Sequence, residues 1–207
     1  MKQNDCDFSP LKQQLIKGLQ NISKEINNLN VALENENTCL LGSIEELKQK
    51  FEEIETVAST FYLNCYLSPF TDKFLDLSTS IQHLSSLKHG ALIVIERQEL
   101  VDNFIRPGTF IGANLTSSLL ESIFFPGNPL HDGVVLVRSN QIYSAANVLP
   151  LSDVNVGEKK LGTRHRAGIG LSEQSDALVL IVSEETGKVS FAIDGNLYPI
   201  ITSSSLV

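Results

Sequence analysis

No stretch of this chain is apolar for long enough to cross a bilayer. The longest runs, ALIVI at 91–95 and ALVLIV at 177–182, fall far short of the roughly 20 residues that a spanning helix needs. The start, MKQNDCDFSP, has no apolar segment behind Lys2, so it does not read as a secretion signal and a cytoplasmic location is expected. Cysteine is scarce: Cys6, Cys39 and Cys65 lie 33 and 26 residues apart, which fits neither a zinc site nor a CxxC redox pair, and three reduced thiols are expected. Positive charge is in deficit, with 16 Lys+Arg against 24 Asp+Glu, a net charge of −8 and a pI of about 5.0. That balance argues against nucleic acid or an anionic membrane as partner, because both are held largely through clustered cations. The common nucleotide, metalloprotease and esterase signatures are missing too: there is no Walker lysine loop, GxGxxG, HExxH or GxSxG. What remains is a globular composition, 42% hydrophobic and 19% charged over 207 residues, enough for a sizeable core.

Glycine is nearly absent early. Residues 1–89 hold only Gly18 and Gly42 of the thirteen, so turns are few there and many beyond. Ser9-Pro10 reads as a helix start, followed by Leu15, Leu19, Ile22, Ile26, Leu29 and Leu33 at steps of four and three, the seam of an amphipathic helix. Ser43 with Glu46 suggests a capping box opening a second helix, whose seam is Ile44, Leu47, Phe51, Ile54, Ala58 and Phe61. The two can pair as an antiparallel hairpin. A third helical pattern runs through Phe70, Phe74, Leu77, Ile81 and Leu84 until KHG at 88–90.

From residue 91 the period shortens. Strands are expected at 91–95, 134–137, 141–148, 177–182 and 189–193, with hairpin turns at 138–140 and 185–187. Several of these runs are apolar on both faces, which calls for helices on each side of the sheet. Short helices are expected over 116–124 and 161–173. The fold class is therefore α/β, a mixed central sheet flanked by helices and preceded by a helical hairpin, divided into a helical module at 1–66 and an α/β domain at 67–207.

Three segments put polar residues at a strand end or helix start, where ligands of α/β proteins bind. LHDGV at 130–134 offers Asp132, a carboxylate able to hold a hard cation, beside Gly133, which lets a ligand approach the backbone; alone it reads more readily as an Asp-Gly turn leading into a strand. GTRHRAG at 162–168 gathers Thr163, Arg164, His165 and Arg166 where a helix opens, a suitable cradle for a polyphosphate, unless the arginines serve only as partners for surface acids. VSEETG at 182–187 ends the strongest strand with Ser183, Glu184 and Glu185, and by itself is a charged hairpin. His83 and His89 read as surface or cap residues.

Taken in order after GALIVIE at 90–96, the segments HDGV, GTRHRAGIGLSE and LIVSEETG resemble the diadenylate cyclase domain family over about residues 75–200. The family signature is an Asp-Gly-Ala and an Arg-His-Arg triplet; here the first reads Asp132-Gly133-Val134. The helical extension resembles the short class of these cyclases associated with sporulation. The resemblance implies condensation of two ATP into cyclic di-AMP with release of two pyrophosphates, assisted by Mg²⁺ or Mn²⁺. It places Asp132 on the metal near the attacking 3′-hydroxyl, with His131 a further metal contact. It puts Thr163, Arg164, His165 and Arg166 on the triphosphate and Ser183 on phosphate. Glu184 or Glu185 would assist the metal or accept the proton, and Gly133 and Leu149 would border the adenine. Because each domain binds one ATP, two must meet face to face, so a homo-oligomer, dimer to hexamer, is implied. The hairpin is expected to restrain activity by fixing that assembly, or else merely to cover a sheet face. The competing expectation is an idle nucleotide-binding scaffold with Val134 as its lesion, against which the intact Asp132, Arg-His-Arg and Ser-Glu-Glu segments count.

Overall fold

The computed structural model describes residues 9–33, 40–152 and 161–200. The chain divides into two units, Met1–Tyr62 and Leu63–Val207. In the first, the seam spacing yields two long helices, α1 (Ser9–Leu33) and α2 (Leu41–Leu67). Gly18 of α1 faces Ile54 of α2 so closely that a Cβ there would stand 2.7 Å from Ile54 Cδ1. Seven residues on, Glu25 pairs with Lys50. Residue numbers rise along one helix as they fall along the other, which makes the pair antiparallel, as expected. Ile22 is buried at this seam, whereas Leu19, Ile26, Leu33, Ile44 and Phe51 stay exposed. The capping box is not where the spacing puts it: Ile44 already donates its N–H to the Leu40 carbonyl, so Ser43 lies inside the first turn. Cys65 is disulfide-bonded, against the expectation of reduced thiols. Spacing along the chain tests only metal and CxxC patterns, whereas a disulfide depends on which Cα and Cβ atoms the fold brings together and on an oxidant for the two thiols.

The second unit is built on a seven-stranded sheet in the order β2-β4-β3-β1-β5-β6-β7. The strands are β1 (Ala91–Ile95), β2 (Thr109–Asn114), β3 (Val134–Arg138), β4 (Gln141–Asn147), β5 (Leu178–Val182), β6 (Val189–Ile193) and β7 (Asn196–Ile200). β1 and β3 run parallel and every other pairing is antiparallel. The alternation inside each buried strand sorts side chains to two cores. Ala91, Ile93 and Ile95 join Leu77, Ile81 and Leu84 of α3 (Phe74–Leu87) and Leu120 and Ile123 of α4 (Ser117–Ile123). Leu92 and Val94 join Ala167, Ile169 and Leu171 of α5 (Thr163–Ser172). Leu63 and Leu67, in the last turn of α2, belong to the first of these cores.

Two local expectations change. The third helix starts at Phe74 rather than Phe70, and it ends on Lys88, which itself takes the left-handed conformation (φ 54°) that glycine would favour. Two strands join the expected five: β2, an edge strand whose side chains are mostly exposed, and β7, which carries Pro199 on the other edge.

Candidate active site

The sheet register brings the three polar segments to one end. Ala91 is paired with Val182, Ile93 with Val135 and Val134 with Asn147. The N-terminal ends of β1 and β3 therefore emerge beside the C-terminal ends of β4 and β5. Gly90, Asp132-Gly133, Val148-Leu149 and Ser183-Glu184 leave the sheet together.

Arg164, in the first turn of α5, joins two of these segments. Its Nη1 donates to Glu184 Oε2 at 2.7 Å, and the guanidinium lies over Gly90, where a Cβ would stand 2.5 Å from Nη1 and 2.9 Å from Glu184 Cβ. The hydrogen bond and charge of Arg164 hold the Glu184 carboxyl below the ordinary glutamate range. The His131 ring is itself fixed: Nδ1 sits 2.6 Å from the Asn128 carbonyl. That carbonyl can only accept, so Nδ1 carries the proton and Nε2 is the nitrogen with a lone pair to offer. Asp132 follows, exposed at the end of β3.

Gly133 has φ +112°, and a Cβ on it would meet the Asn147 carbonyl oxygen at 2.6 Å and the Ala146 Cα at 2.9 Å. Glycine is required here on both counts. Val134, the departure from the family triplet, is fully buried in the core that contains Leu92, Leu136, Ala167 and Ile169. Leu149 belongs to the same core and is 7% exposed, while Val148 before it is exposed.

The start of α5 has no side-chain cap; Gly162 is the N-cap. The Arg166 N–H makes the first intrahelical bond, to the Gly162 carbonyl, so the N–H groups of Thr163, Arg164 and His165 point out of the helix end with its positive dipole. Thr163 is exposed and His165 half-buried. Burial lowers the His165 pKa below the ordinary histidine value, with the charge of Glu185 opposing. Arg166 turns elsewhere: Nε and Nη2 both donate to the Ser152 carbonyl, at 3.1 and 3.0 Å, while the Ser152 N–H donates to the Arg166 carbonyl. It thereby ties the segment after Leu149 to α5. Ser183 closes its own turn, its Oγ accepting from the Thr186 N–H and its carbonyl from the Gly187 N–H. That turn is docked on the end of α3 by Ser85, whose Oγ donates to the Gly187 carbonyl at 2.6 Å.

Arg164 and Glu184 thus meet, His131 lies within electrostatic reach of Glu184, and His165 lies within electrostatic reach of Glu185. Sequence reasoning missed Gly90, Ser85 and Asn147. Gly90 alone carried a signal, a glycine directly before a wholly apolar strand; the other two act through contacts distant along the chain. His83, read as a surface residue, is exposed and bonds Glu121 at 2.7 Å, whereas His89 packs edge-on against Phe125. Among the described residues no three His, Cys, Asp or Glu side chains gather as a ready-made metal cage.

Comparison with known proteins identifies the family. The DAC family, described as DisA bacterial checkpoint controller nucleotide-binding, matches residues 78–197, and the family described as Diadenylate cyclase CdaS, N-terminal, matches residues 2–70. A Diadenylate cyclase CdaS of Bacillus thuringiensis is 51% identical over 92% of this chain and 94% of its own. A Cyclic di-AMP synthase CdaS of Bacillus subtilis is 55% identical over 82% of each. A solved structure described as a hypothetical membrane spanning protein from Bacillus cereus superposes with a TM-score of 0.75 at 50% identity, covering 93% of this chain and 94% of that one. No described helix of the present chain is long and apolar enough to cross a membrane.

Proposed function

The chain belongs to the DAC family and carries the CdaS N-terminal region, and on that premise we propose that it is a diadenylate cyclase joining two ATP molecules into cyclic di-AMP. One observation carries the reading: Asp132, the Arg164–Glu184 pair and the uncapped start of α5 share one end of the sheet. In each of two steps the 3′-oxygen of one ATP forms a bond to the α-phosphorus of the other. The bond from that phosphorus to the bridging oxygen breaks, pyrophosphate leaves, and the hydroxyl proton passes to a carboxylate or water.

The triphosphate rests on the N–H groups and side chains of Thr163, Arg164 and His165, with Arg166 and Ser183 bordering it. Negative phosphate oxygens are favoured there by the helix dipole and the fixed guanidinium. Glu184 is already neutralised by Arg164 and is a poor base. It orients that arginine, which leaves Asp132 or Glu185 to accept the proton. Asp132, with His131 Nε2 beside it, would hold the divalent cation, Mg²⁺ or Mn²⁺. That ion supplies neutralisation of the charge that builds on the phosphates. Gly133 and Leu149 border the adenine.

One such site holds one ATP, so the ring closes only where two chains present their sites face to face; the assembly lies between dimer and hexamer. The exposed apolar seam of the N-terminal hairpin supports a role in that assembly, fixing chains in an arrangement that restrains the reaction. ATP as substrate supports a cytoplasmic location.

The test incubates the full chain with ATP and Mn²⁺ or Mg²⁺ beside Asp132→Asn, resolving products by chromatography with mass detection. Cyclic di-AMP from the wild type alone is the expected result. ATP bound but never cyclised, by the full chain and by a chain lacking the hairpin, would overturn the reading.

A further inference from the structure

Asn147 is 1% exposed, yet every polar atom of its side chain is engaged. Nδ2 donates to the Val134 carbonyl at 2.9 Å, and Oδ1 accepts from the Gly108 N–H at 2.8 Å and from Ser144 Oγ at 2.9 Å. The reason lies in the register. Val134 is opposite Asn147 and Leu136 opposite Ser144, so three steps along β4 face two along β3. The extra residue makes a bulge at which Ala146 takes φ 55°. A bulge leaves ladder groups unpaired, and the Asn147 amide takes up one of them, the carbonyl of Val134. The backbone of the same bulge presses on Gly133, as the 2.6 and 2.9 Å approaches record. Gly108 is held as closely, since a Cβ there would stand 2.2 Å from the Ala145 carbonyl oxygen. The next residues of the chain are Val148, bridged to Arg106 by two backbone hydrogen bonds, and Leu149.

We infer that Asn147 is a positioning residue of the cyclase, locking the Asp132-Gly133 turn and the Val148-Leu149 segment onto one bulge. The inference rests on the placement of Asp132 at the reacting end. It divides the site in two: the triphosphate cradle on α5 has no bond to Asn147, whereas Val134, the residue that directly follows the Asp132-Gly133 turn, does. Loss of the amide therefore disturbs the reacting end and spares the binding of phosphate.

The experiment compares Asn147→Ala, Ser144→Ala, Asp132→Asn and Leu77→Ala, the last a destabilising change in the core on the other face of the sheet. Steady-state kinetics are corrected for the folded fraction, and equilibrium binding of a fluorescent ATP analogue is measured on each. For Asn147→Ala, kcat falls about 10- to 100-fold while KM and analogue affinity stay within about threefold. Ser144→Ala, which removes one hydroxyl and folds more readily, moves kcat the same way by about two- to fivefold. Leu77→Ala lowers Tm and leaves kcat per folded molecule unchanged. If Asp132→Asn is inactive while Asn147→Ala and Ser144→Ala keep wild-type kcat, the inference is wrong and the site stands. The inference fails equally if Asn147→Ala does not fold and Ser144→Ala keeps wild-type kcat. An active Asp132→Asn would instead remove the site reading on which the inference rests.

Discussion

Arg164 reaches across Gly90 to Glu184, Nη1 to Oε2 at 2.7 Å, and the missing side chain at residue 90 is what lets the guanidinium lie there. The start of α5 and the turn after β5 are tied by this one pair, and both belong to the end of the sheet where Asp132 emerges. The pair is partly open to water, so its contribution to stability is small. Its value is in orientation.

Gly90→Ala is therefore expected to lose activity without losing the fold. The added carbon would stand 2.5 Å from Nη1 and 2.6 Å from Cζ, the far end of a flexible side chain that can swing aside, and 2.9 Å from Glu184 Cβ, which a small shift of the turn after β5 must relieve. The prediction is a fall in kcat/KM of about 10- to 100-fold, with thermal unfolding close to that of the wild type. An unchanged KM for ATP in this variant would take Arg164 out of the phosphate cradle.

Val134→Ala restores the family triplet and is expected to weaken the protein rather than improve it. The valine is fully buried among Leu92, Leu136, Ala167 and Ile169, so two methyl groups leave a void worth about 1–3 kcal/mol. For a chain of this size that lowers Tm by roughly 3–10 °C. KM for ATP should not move, because this side chain packs in the core. A large gain in activity would mean that the valine constrains the nucleotide after all.

The central strands and the helices were legible because burial leaves a periodic trace: β1, β5 and β6 are apolar at every position or nearly so, and the α1 seam repeats at three and four. The edges left a weaker one. Phe110 of β2 is exposed and Pro199 interrupts β7, so neither strand shows a clean alternation. Yet the β6–β7 hairpin had a readable sign in Asp194-Gly195, both at positive φ, the pairing that favours a tight turn. The site was legible as three motifs, and their meeting was not. Which motif faces which depends on the parallel pairing of β1 with β3 and on β5 running against β1. Asn147 and Ser85 left no sign at all, since an asparagine in a strand and a serine in a helix acquire their roles from partners far along the chain. Arg166 shows the limit of a motif: inside the triplet it looks like Arg164, but the fold turns it to the Ser152 carbonyl.

The half-buried His165 supplies a pH test. Burial lowers its folded-state pKa below the ordinary value of about 6.5. As pH falls below about 6.5, the unfolded chain takes up a proton that the folded chain resists, so stability declines until the folded pKa is passed and levels off beneath it. Two-dimensional NMR of the imidazole should therefore give a midpoint below 6.5 in the protein alone. A non-cyclisable ATP analogue should move that midpoint up, because phosphate charge favours the imidazolium. A midpoint indifferent to the analogue would place His165 outside the triphosphate site.

Removal of the N-terminal hairpin must respect where the second unit begins. Leu63 and Leu67 are buried in its core with Leu77 and Ile81, and Tyr66 meets Phe191 edge to face at 6.4 Å. A chain starting at Leu63 keeps these contacts and is expected to stay folded. One starting beyond Phe70 loses two buried leucines, at about 2 kcal/mol or more each, and is expected to unfold at a markedly lower temperature. The shorter deletion also discards the exposed apolar positions Leu19, Ile26, Leu33, Ile44 and Phe51, a face that a lone chain leaves in water and a second copy would cover. Light scattering coupled to size exclusion should accordingly show a smaller assembly, and the cyclase assay a higher specific activity, as sites held apart become free to meet. If the assembly shrinks and activity disappears, the hairpin brings the sites together instead. If neither assembly nor activity changes, the seam has no part in regulation.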